Sequence, residues 1–214
     1  HLFSLTRCLH DSNRKMPSEG LEKFDVLKKK YSAGIELSGK TLGVIGMGRI
    51  GQAAARIGLG LGMRVLPFKR NGEDVSIDLS LSPAHSSAPI SIRLKSVPFE
   101  QLLSESDFIT LHVPFPKGSS PVLSKKEMDQ MKQGVYIINT ARGGVVDEKD
   151  LLDALNSGKV AGAGLDVFKG EPKPMPELLA HPNISSTPHI GASTKEAQER
   201  IGTDLARQVI AFFK

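Results

Sequence analysis

The chain has 214 residues, of which 39% are hydrophobic and 24% charged, and its formal net charge is +5. This composition is typical of a soluble globular domain, and no apolar run approaches the roughly 18 residues of a membrane-spanning helix. The basic residues are scattered apart from Lys28–Lys30 and are not interleaved with aromatic residues. We therefore expect neither nucleic acid nor membrane as a partner. We also predict no metal site.

The single cysteine, Cys8, excludes an internal disulfide and favours a cytoplasmic location. The chain begins at His1 within an apolar pattern, so we expect that an earlier part of the polypeptide is missing. Leucines at helical spacing predict a helix over residues 1–12. Residues 13–38 are polar and contain helix breakers, so we predict a loop there. Its apolar residues indicate that this arm packs on another surface, such as a partner subunit: Phe24, Val26, Leu27 and Tyr31.

Residues 41–51 combine a buried strand, a glycine-rich turn and the start of a helix. Gly46, Gly48 and Gly51 match the dinucleotide-binding fingerprint, with the strand before it and the helix after it. Gly46 permits the tight turn, Gly48 lets a pyrophosphate approach the backbone, and Gly51 lets the helix pack closely on the strand. The free N–H groups of the helix N-terminus attract the anion. The apolar face of this helix is predicted from its spacing to comprise Ile50, Ala54, Ile57 and Leu61.

The rest of the chain alternates between strands and helices. Strands are predicted over residues 63–68, 108–113, 135–139, 160–167 and 184–187. Helices are predicted over residues 99–104, 124–131, 147–158 and 193–213. Three helix starts carry capping signals: Ser124 with Glu127, Asp147, and Ser193 with Glu196. This alternation predicts an α/β fold with a doubly wound parallel sheet, a Rossmann-type domain.

The serine-rich segment from residue 71 to 98 interrupts this alternation. Residues 75–81 and 90–97 alternate apolar and polar side chains, so we predict an inserted β-hairpin over about residues 72–98. A flexible serine-rich loop is the alternative. The predicted organisation is therefore an interdomain helix and arm (1–34), a dinucleotide-binding domain (35–192) and a C-terminal interdomain helix (193–214).

Three polar residues follow the predicted strands at the edge where parallel sheets bind ligands. Arg142 is suited to hold a substrate carboxylate with two hydrogen bonds. His189 is suited to take a hydroxyl proton as a hydride leaves the adjacent carbon, and Glu171 to fix its tautomer. Asp166 ends a buried strand and needs a partner, either a nicotinamide carboxamide or the backbone of its own turn.

The motifs at residues 46–51, 112–114, 139–147, 164–172 and 188–192 resemble those of the D-isomer-specific 2-hydroxyacid dehydrogenases. The similarity covers about residues 35–214 and is closest to the D-3-phosphoglycerate dehydrogenases, in a short form without a regulatory domain. The resemblance implies that Arg142, Glu171 and His189 are catalytic, with His189 as the acid/base. It also implies a homodimer and a cofactor site lined by Arg49, Ile50, Val113, Pro114, Thr140, Ala141, Asp166 and Gly191, besides the glycine loop.

The choice of cofactor depends on the end of the second strand. NAD-specific members of the family are expected to place an acidic residue there, whereas this chain has Lys69 followed by Arg70. Two cations favour the 2′-phosphate of NADP, but Glu73 or Asp74 is an alternative ribose partner that would retain NAD. From the family resemblance we expect NAD.

The resemblance predicts an oxidoreductase that transfers a hydride between NAD(P) and a D-2-hydroxyacid, with 3-phosphoglycerate as the leading substrate. A glyoxylate or hydroxypyruvate reductase is a second reading. A non-catalytic dinucleotide-sensing protein is a third. In this family a second domain closes over the cleft, so we expect the chain by itself to bind cofactor with little or no activity.

Overall fold

The computed structural model describes residues 1–79 and 90–213. The helices are α1 (Leu2–Thr6), α2 (Leu9–Lys30), α3 (Arg49–Gly60), α4 (Phe99–Glu105), α5 (Lys125–Gln130), α6 (Glu148–Asn156), α7 (Pro176–Ala180) and α8 (Lys195–Phe212). The strands are β1 (Thr41–Ile45), β2 (Arg64–Phe68), β3 (Val75–Leu79), β4 (Ile90–Leu94), β5 (Phe108–Leu111), β6 (Val135–Asn139), β7 (Val160–Leu165) and β8 (Ile184–Ser186).

Within the described residues, six strands form one parallel sheet in the order β2-β1-β5-β6-β7-β8. The chain runs outward from β1 to β2 and then returns to add β5 on the other side, which confirms the doubly wound sheet. The strand registers place six residues side by side at the carboxyl ends: Phe68, Ile45, Leu111, Asn139, Leu165 and Ser186. The loops that follow these residues therefore meet at one edge of the sheet, which we call the rim.

Every residue of β1 and β5 is buried, as expected for central strands covered on both faces. One apolar cluster joins β5, β6 and β7 to α4, α5 and α6, and includes Ile109, Ile137 and Leu151. A second cluster joins β1 and β2 to α3 and the hairpin strand β3. The core thus holds the sheet rigid beneath the rim.

The predicted apolar face of α3 is wrong. Ile50 and Ile57 are 70% and 60% exposed, whereas Gly51, Ala55 and Gly58 are the buried residues of this helix. A Cβ atom on Gly58 would lie 2.7 Å from Leu42 Cδ2. The helix lies so close to the sheet that only its smallest residues fit in the contact, and the larger apolar side chains face outward.

The predicted hairpin is confirmed by the antiparallel pairing of β3 with β4. Ile77 is fully buried, and Arg56 of α3 donates from Nε to the carbonyl oxygen of Asp78 at 2.9 Å. The hairpin therefore packs against α3 beside the end of β2. The predicted turn between its strands lies outside the described residues.

The predicted loop over residues 13–38 is wrong as far as Ala33, because α2 continues to Lys30 and a 3-10 turn covers Tyr31–Ala33, whereas residues 34–38 are irregular as predicted. Pro17 lies inside this helix, and the helix bends at Lys23, whose backbone angles are not helical. Most residues around these breakers are good helix formers, and their summed preference outweighs the local cost. The predicted helix over residues 1–12 is also divided, since Cys8 adopts a left-handed conformation with φ 51° between α1 and α2.

Two of the three predicted helix caps are confirmed. Ser124 and Glu127 form the reciprocal capping box of α5, and the Asp147 carboxylate accepts the N–H groups of Lys149 and Asp150 in α6. The third predicted cap is wrong by one residue, because Thr194 rather than Ser193 caps α8. Helix α7 was not predicted.

The apolar stripe predicted along α8 is present but uncovered: Ile201, Leu205, Val209 and Phe212 are each at least 48% exposed. No residue of α8 is buried. None of the helices in residues 1–79 and 90–213 has the length and apolar character needed to cross a membrane.

Candidate active site

The glycine loop lies at the rim between β1 and α3. Gly46 has φ 93°, and a Cβ atom there would lie 2.5 Å from the carbonyl oxygen of His112. Around Gly48, in contrast, no atom lies within 4 Å of the position of a Cβ atom. No side chain caps the N-terminus of α3, so the N–H groups of its first turn remain available to an anion. The open backbone at Gly48 and these free donors fit a pyrophosphate.

The end of β2 carries a mixed set of charges. Lys69 Nζ lies 2.7 Å from Glu73 Oε2, and the Lys69 backbone N–H donates to Ser96 Oγ at 3.1 Å. The hydrogen bond from Lys69 holds the pKa of the exposed Glu73 carboxyl below its usual value. Asp74 is paired with Arg93 at 3.1 Å. Of the two predicted substitutes for the usual acid, Glu73 is therefore the one coupled to Lys69.

His112 follows β5 and packs behind the glycine loop. Its backbone N–H donates to the Ile45 carbonyl at 2.8 Å, and its Nε2 lies 3.0 Å from Thr110 Oγ1. Its Nδ1 is buried and has no hydrogen-bond partner among the described residues. Burial lowers the pKa of His112 to about 4, so the imidazole is neutral at physiological pH.

The loop after β6 is braced by the side chain of Asn139. Its Nδ2 donates to the Arg142 carbonyl at 3.0 Å, and its Oδ1 accepts the Ala141 N–H at 3.1 Å. Thr140 is half-buried and Ala141 is buried. The Arg142 side chain is exposed at the rim, and one of its guanidinium nitrogens donates to the Ala141 carbonyl at 2.7 Å.

Asp166, which follows β7, is buried and organises the turn after β8. Its Oδ1 accepts the Thr187 hydroxyl at 2.5 Å and the Ile190 N–H at 2.9 Å. Its Oδ2 accepts the Gly191 N–H at 2.9 Å. The predicted pairing of Asp166 with backbone groups is thus observed, in the neighbouring turn. Oδ2 keeps the capacity to accept a further donor such as a carboxamide.

Glu171 and His189 form the central pair of the rim. His189 Nδ1 lies 2.8 Å from Glu171 Oε2, and Glu171 Oε1 accepts the Phe168 N–H at 2.7 Å. Burial opposes ionisation of Glu171, but the hydrogen bonds from His189 and Phe168 outweigh it and lower the pKa of its carboxyl. With Nδ1 engaged by the carboxylate, Nε2 is the nitrogen left for proton exchange with another molecule.

His189 has a left-handed backbone with φ 55°. This conformation is uncommon for residues other than glycine and requires support from the surrounding structure. The support comes from Asp166, which holds the next two N–H groups of the turn. Beside the pair lies a mainly apolar cavity of about 360 Å³, formed in part by Phe168, Pro174 and Leu179. Its size is in the range of small-molecule pockets.

The structure brings the predicted site residues to the same rim but not all into contact. Glu171 contacts His189 directly, and Asp166 contacts Gly191. Val113 packs against Gly46, and Pro114 is exposed. The described hydrogen bonds do not link Arg142 to either member of the Glu171–His189 pair.

Three residues that shape the rim are not among the predicted site residues: His112, Thr187, and Glu148, whose Oε1 accepts the Lys169 N–H. His112 had one signal, its position after a buried strand. Thr187 had the same signal, since it follows β8. Glu148 had none, because its partner is a backbone N–H 21 residues away.

The sequence model described as the D-isomer specific 2-hydroxyacid dehydrogenase, NAD binding domain, matches residues 1–191. The chain belongs to this family. It is 42% identical over 186 residues to a hydroxypyruvate reductase of Thermotoga maritima, with 85% of this chain and 56% of the relative covered. It is also 42% identical over 181 residues to a D-3-phosphoglycerate dehydrogenase of Bacillus subtilis, with 85% of this chain and 32% of the relative covered.

Solved structures of the D-2-hydroxyacid dehydrogenase family have the same fold. A glyoxylate reductase of Paecilomyes thermophila superposes with a TM-score of 0.76 at 34% identity, over 94% of this chain and 56% of that protein. The chain thus spans about half the length of the reductases it matches and about a third of the phosphoglycerate dehydrogenase. Relatives with different substrates are equally similar, so the comparisons establish the family and leave the substrate open.

The neutral state of His112 predicts how stability depends on pH. Its pKa is about 4 in the folded chain and near the ordinary 6.5 when the chain is unfolded. Between these values the unfolded state binds the proton and the folded state does not, so the free energy of unfolding falls as the pH is lowered through this window. We measure the free energy of unfolding with urea at pH 7.5 and at pH 4.5. Its decrease between the two pH values should be smaller by about 2 kcal/mol in His112→Gln than in the wild type. Equal losses in the two proteins would contradict the buried neutral assignment.

Proposed function

We propose that the chain is the cofactor-binding and catalytic part of an NAD(H)-dependent D-2-hydroxyacid dehydrogenase. The observation that carries this proposal is the Glu171–His189 pair, 2.8 Å apart, on the same sheet edge as the open glycine loop. A dinucleotide on the loop and an acid/base on the adjoining strand ends are the two parts that alcohol oxidation requires. Family membership supports the same reading.

Each residue of the proposed site has one role. Arg142 holds the substrate carboxylate through its guanidinium and so orients the C2 carbon. His189 Nε2 takes the C2 hydroxyl proton in oxidation and returns it in reduction. Glu171 keeps the Nδ1 proton of His189 in place and stabilises the imidazolium that forms. The bound nicotinamide would supply the hydride acceptor.

The loop backbone at Gly46, Gly48 and Gly51 would hold the pyrophosphate, with Arg49 and Ile50 in the first helical turn beside it. Val113, Pro114, Thr140 and Ala141 would line the path of the cofactor between the glycine loop and the Glu171–His189 pair. Asp166 and Gly191 would receive the nicotinamide carboxamide at the far end. These assignments rest on the position of each residue along the rim and on the family resemblance.

For the cofactor we propose NAD(H). The Lys69 ammonium is paired with the Glu73 carboxylate, which reduces the positive charge available to a 2′-phosphate and offers an acceptor for ribose hydroxyls. NADP(H) is the alternative. It is supported by Arg70, which is exposed at the same strand end.

We predict that the chain binds NADH more tightly than NADPH and that Glu73→Gln reduces this preference by about tenfold, as expected for the loss of one charge-assisted hydrogen bond. The substitution removes the acceptor and frees Lys69. Titration calorimetry with both cofactors measures the ratio. Glu105→Gln is the matched control, since Glu105 pairs with Arg64 at the opposite end of β2. Tighter binding of NADPH to the wild type would overturn the proposal in favour of NADP.

For the substrate we propose D-3-phosphoglycerate, supported by 42% identity to a dehydrogenase of that name. A hydroxypyruvate reductase is equally identical, so hydroxypyruvate and glyoxylate are the competing substrates. The product of D-3-phosphoglycerate oxidation would feed serine synthesis. A homodimer in the cytoplasm is the proposed assembly and location, supported by the single cysteine and by exposed apolar residues on α2: Leu21, Phe24 and Val26.

The activity is tested by NADH oxidation with phosphohydroxypyruvate, hydroxypyruvate and glyoxylate. Because the chain spans about half of the reductases it matches, the assay uses both the 214-residue chain and the longest natural polypeptide that contains it. His189→Asn should lower kcat by about a thousandfold, as expected for loss of a general acid/base, with unchanged NADH affinity. His181→Asn, before β8 and away from the rim, is the control and should be active.

Tight NADH binding by the longest natural polypeptide, without turnover of any of the three oxoacids, would favour the dinucleotide-sensing alternative. Full activity of His189→Asn would remove His189 from the acid/base role. Preference among the three oxoacids identifies the substrate.

A further inference from the structure

Glu148 is a buried carboxylate for which the proposed reaction has no use. It is the first residue of α6 and is 8% exposed. Among the described ion pairs none involves Glu148, and burial raises the pKa of its carboxyl. Placing a carboxylate in such a position is costly unless it is hydrogen-bonded. Its Oε1 does accept a hydrogen bond, from the backbone N–H of Lys169.

Lys169 belongs to the turn that carries Glu171. The N–H of the preceding residue, Phe168, donates to Glu171 Oε1, and Glu171 Oε2 contacts His189 Nδ1. Glu148 therefore holds the peptide N–H that lies between the two anchor points of this turn, Phe168 and Glu171. The Glu171 side chain itself is about a third exposed, so its orientation depends on the backbone of the turn.

The backbone of Gly143 also approaches this turn closely, at the carbonyl of Phe168. A Cβ atom on Gly143 would overlap this carbonyl, so the backbone at Gly143 lies directly against the Phe168–Lys169 peptide. Gly143 and Glu148 both belong to the segment that begins at Arg142. One short segment therefore positions both the proposed carboxylate-binding arginine and the turn of Glu171.

We propose that Glu148 is a positioning residue that fixes the Phe168–Glu171 turn and, through it, the Glu171–His189 pair. The inference concerns the arrangement of the rim, and its catalytic consequence rests on the proposed function of His189. This role requires that the side chain at position 148 place an acceptor oxygen within hydrogen-bond distance of the Lys169 N–H. The charge is not required.

Two variants separate the acceptor from the charge. Glu148→Gln and Glu148→Ala both remove the negative charge, but only glutamine retains an oxygen that can accept the Lys169 N–H. Glu148→Asp keeps the charge but shortens the side chain by one methylene. It replaces the alanine variant if that variant does not fold. All are made in the 214-residue chain, and thermal unfolding confirms folding.

The first readout is NMR and needs no activity. In Glu148→Ala, or in Glu148→Asp, we expect faster hydrogen exchange of the Lys169 amide than in Glu148→Gln. We also expect the pKa of Glu171 to lie higher in Glu148→Ala than in Glu148→Gln, because a disordered turn loses the hydrogen bonds that lower it. A purely structural role at the start of α6 would move neither the Glu171 titration nor the His189 ring signals.

The second readout is kinetic, in whichever form of the protein is active. Glu148→Ala should lower kcat by roughly tenfold to a hundredfold at unchanged NADH affinity, as expected when a catalytic pair is displaced by a fraction of an ångström. Glu148→Gln should stay within a few-fold of the wild type.

The inference is overturned if the alanine, aspartate and glutamine variants give the same Lys169 exchange and the same Glu171 titration. This outcome is distinguishable from failure of the proposed function. If no oxoacid is turned over, the NMR differences still stand. If His189→Asn abolishes turnover while the Glu148 variants are alike, only the positioning role is lost.

Discussion

The close approach of α3 to the end of β1 is the constraint on which the rest of the structure depends. A Cβ atom on Gly51 would overlap the carbonyl oxygen of Gly46, and one on Gly58, two turns later, would lie 2.7 Å from Leu42 Cδ2. This contact aims the uncapped N-terminus of α3 at the carboxyl edge of the sheet. An anion-binding helix end is thereby fixed beside the strand ends that carry the polar side chains.

The parallel register extends the same edge across six strands and divides it into two parts. The ends of β1, β2 and β5 hold the glycine loop, the Lys69–Glu73 pair and a neutral His112, which together suit a dinucleotide. The ends of β6 and β8 hold Arg142 and His189, which suit an alcohol next to a carboxylate, and the end of β7 holds Asp166, the proposed partner of the nicotinamide carboxamide. Buried hydrogen bonds connect the ends of β7 and β8, because the Asp166 carboxylate organises the turn on which His189 lies.

The sequence predicted best where apolar residues form a continuous run or a polar residue ends a strand. The strands of the parallel sheet are of the first kind, because burial on both faces leaves a clear apolar run. The pairing of Glu171 with His189 was predicted from the loops that follow two of these strands. The face of α3 was mispredicted because its contact with the sheet is made of glycine and alanine, which carry little hydrophobic signal. Residues 13–30 were mispredicted because Pro17 and Gly20 are breakers in general but are tolerated within a long helix of good helix formers. The role of Glu148 could not be predicted from the sequence, because its partner is a backbone N–H 21 residues away.

The central claim is that the open backbone at Gly48 receives a dinucleotide, and titration of NADH into the chain and its Gly48→Ala variant tests it most directly. A Cβ atom at Gly48 meets no protein atom within 4 Å, so the variant should unfold at the wild-type temperature. Its methyl group would occupy the space of the pyrophosphate, so NADH should bind at least about tenfold more weakly. Gly60→Ala, at the other end of α3 and equally unobstructed, should bind as the wild type does. Equal NADH affinity in Gly48→Ala and the wild type, or no binding to the wild type, would contradict the account.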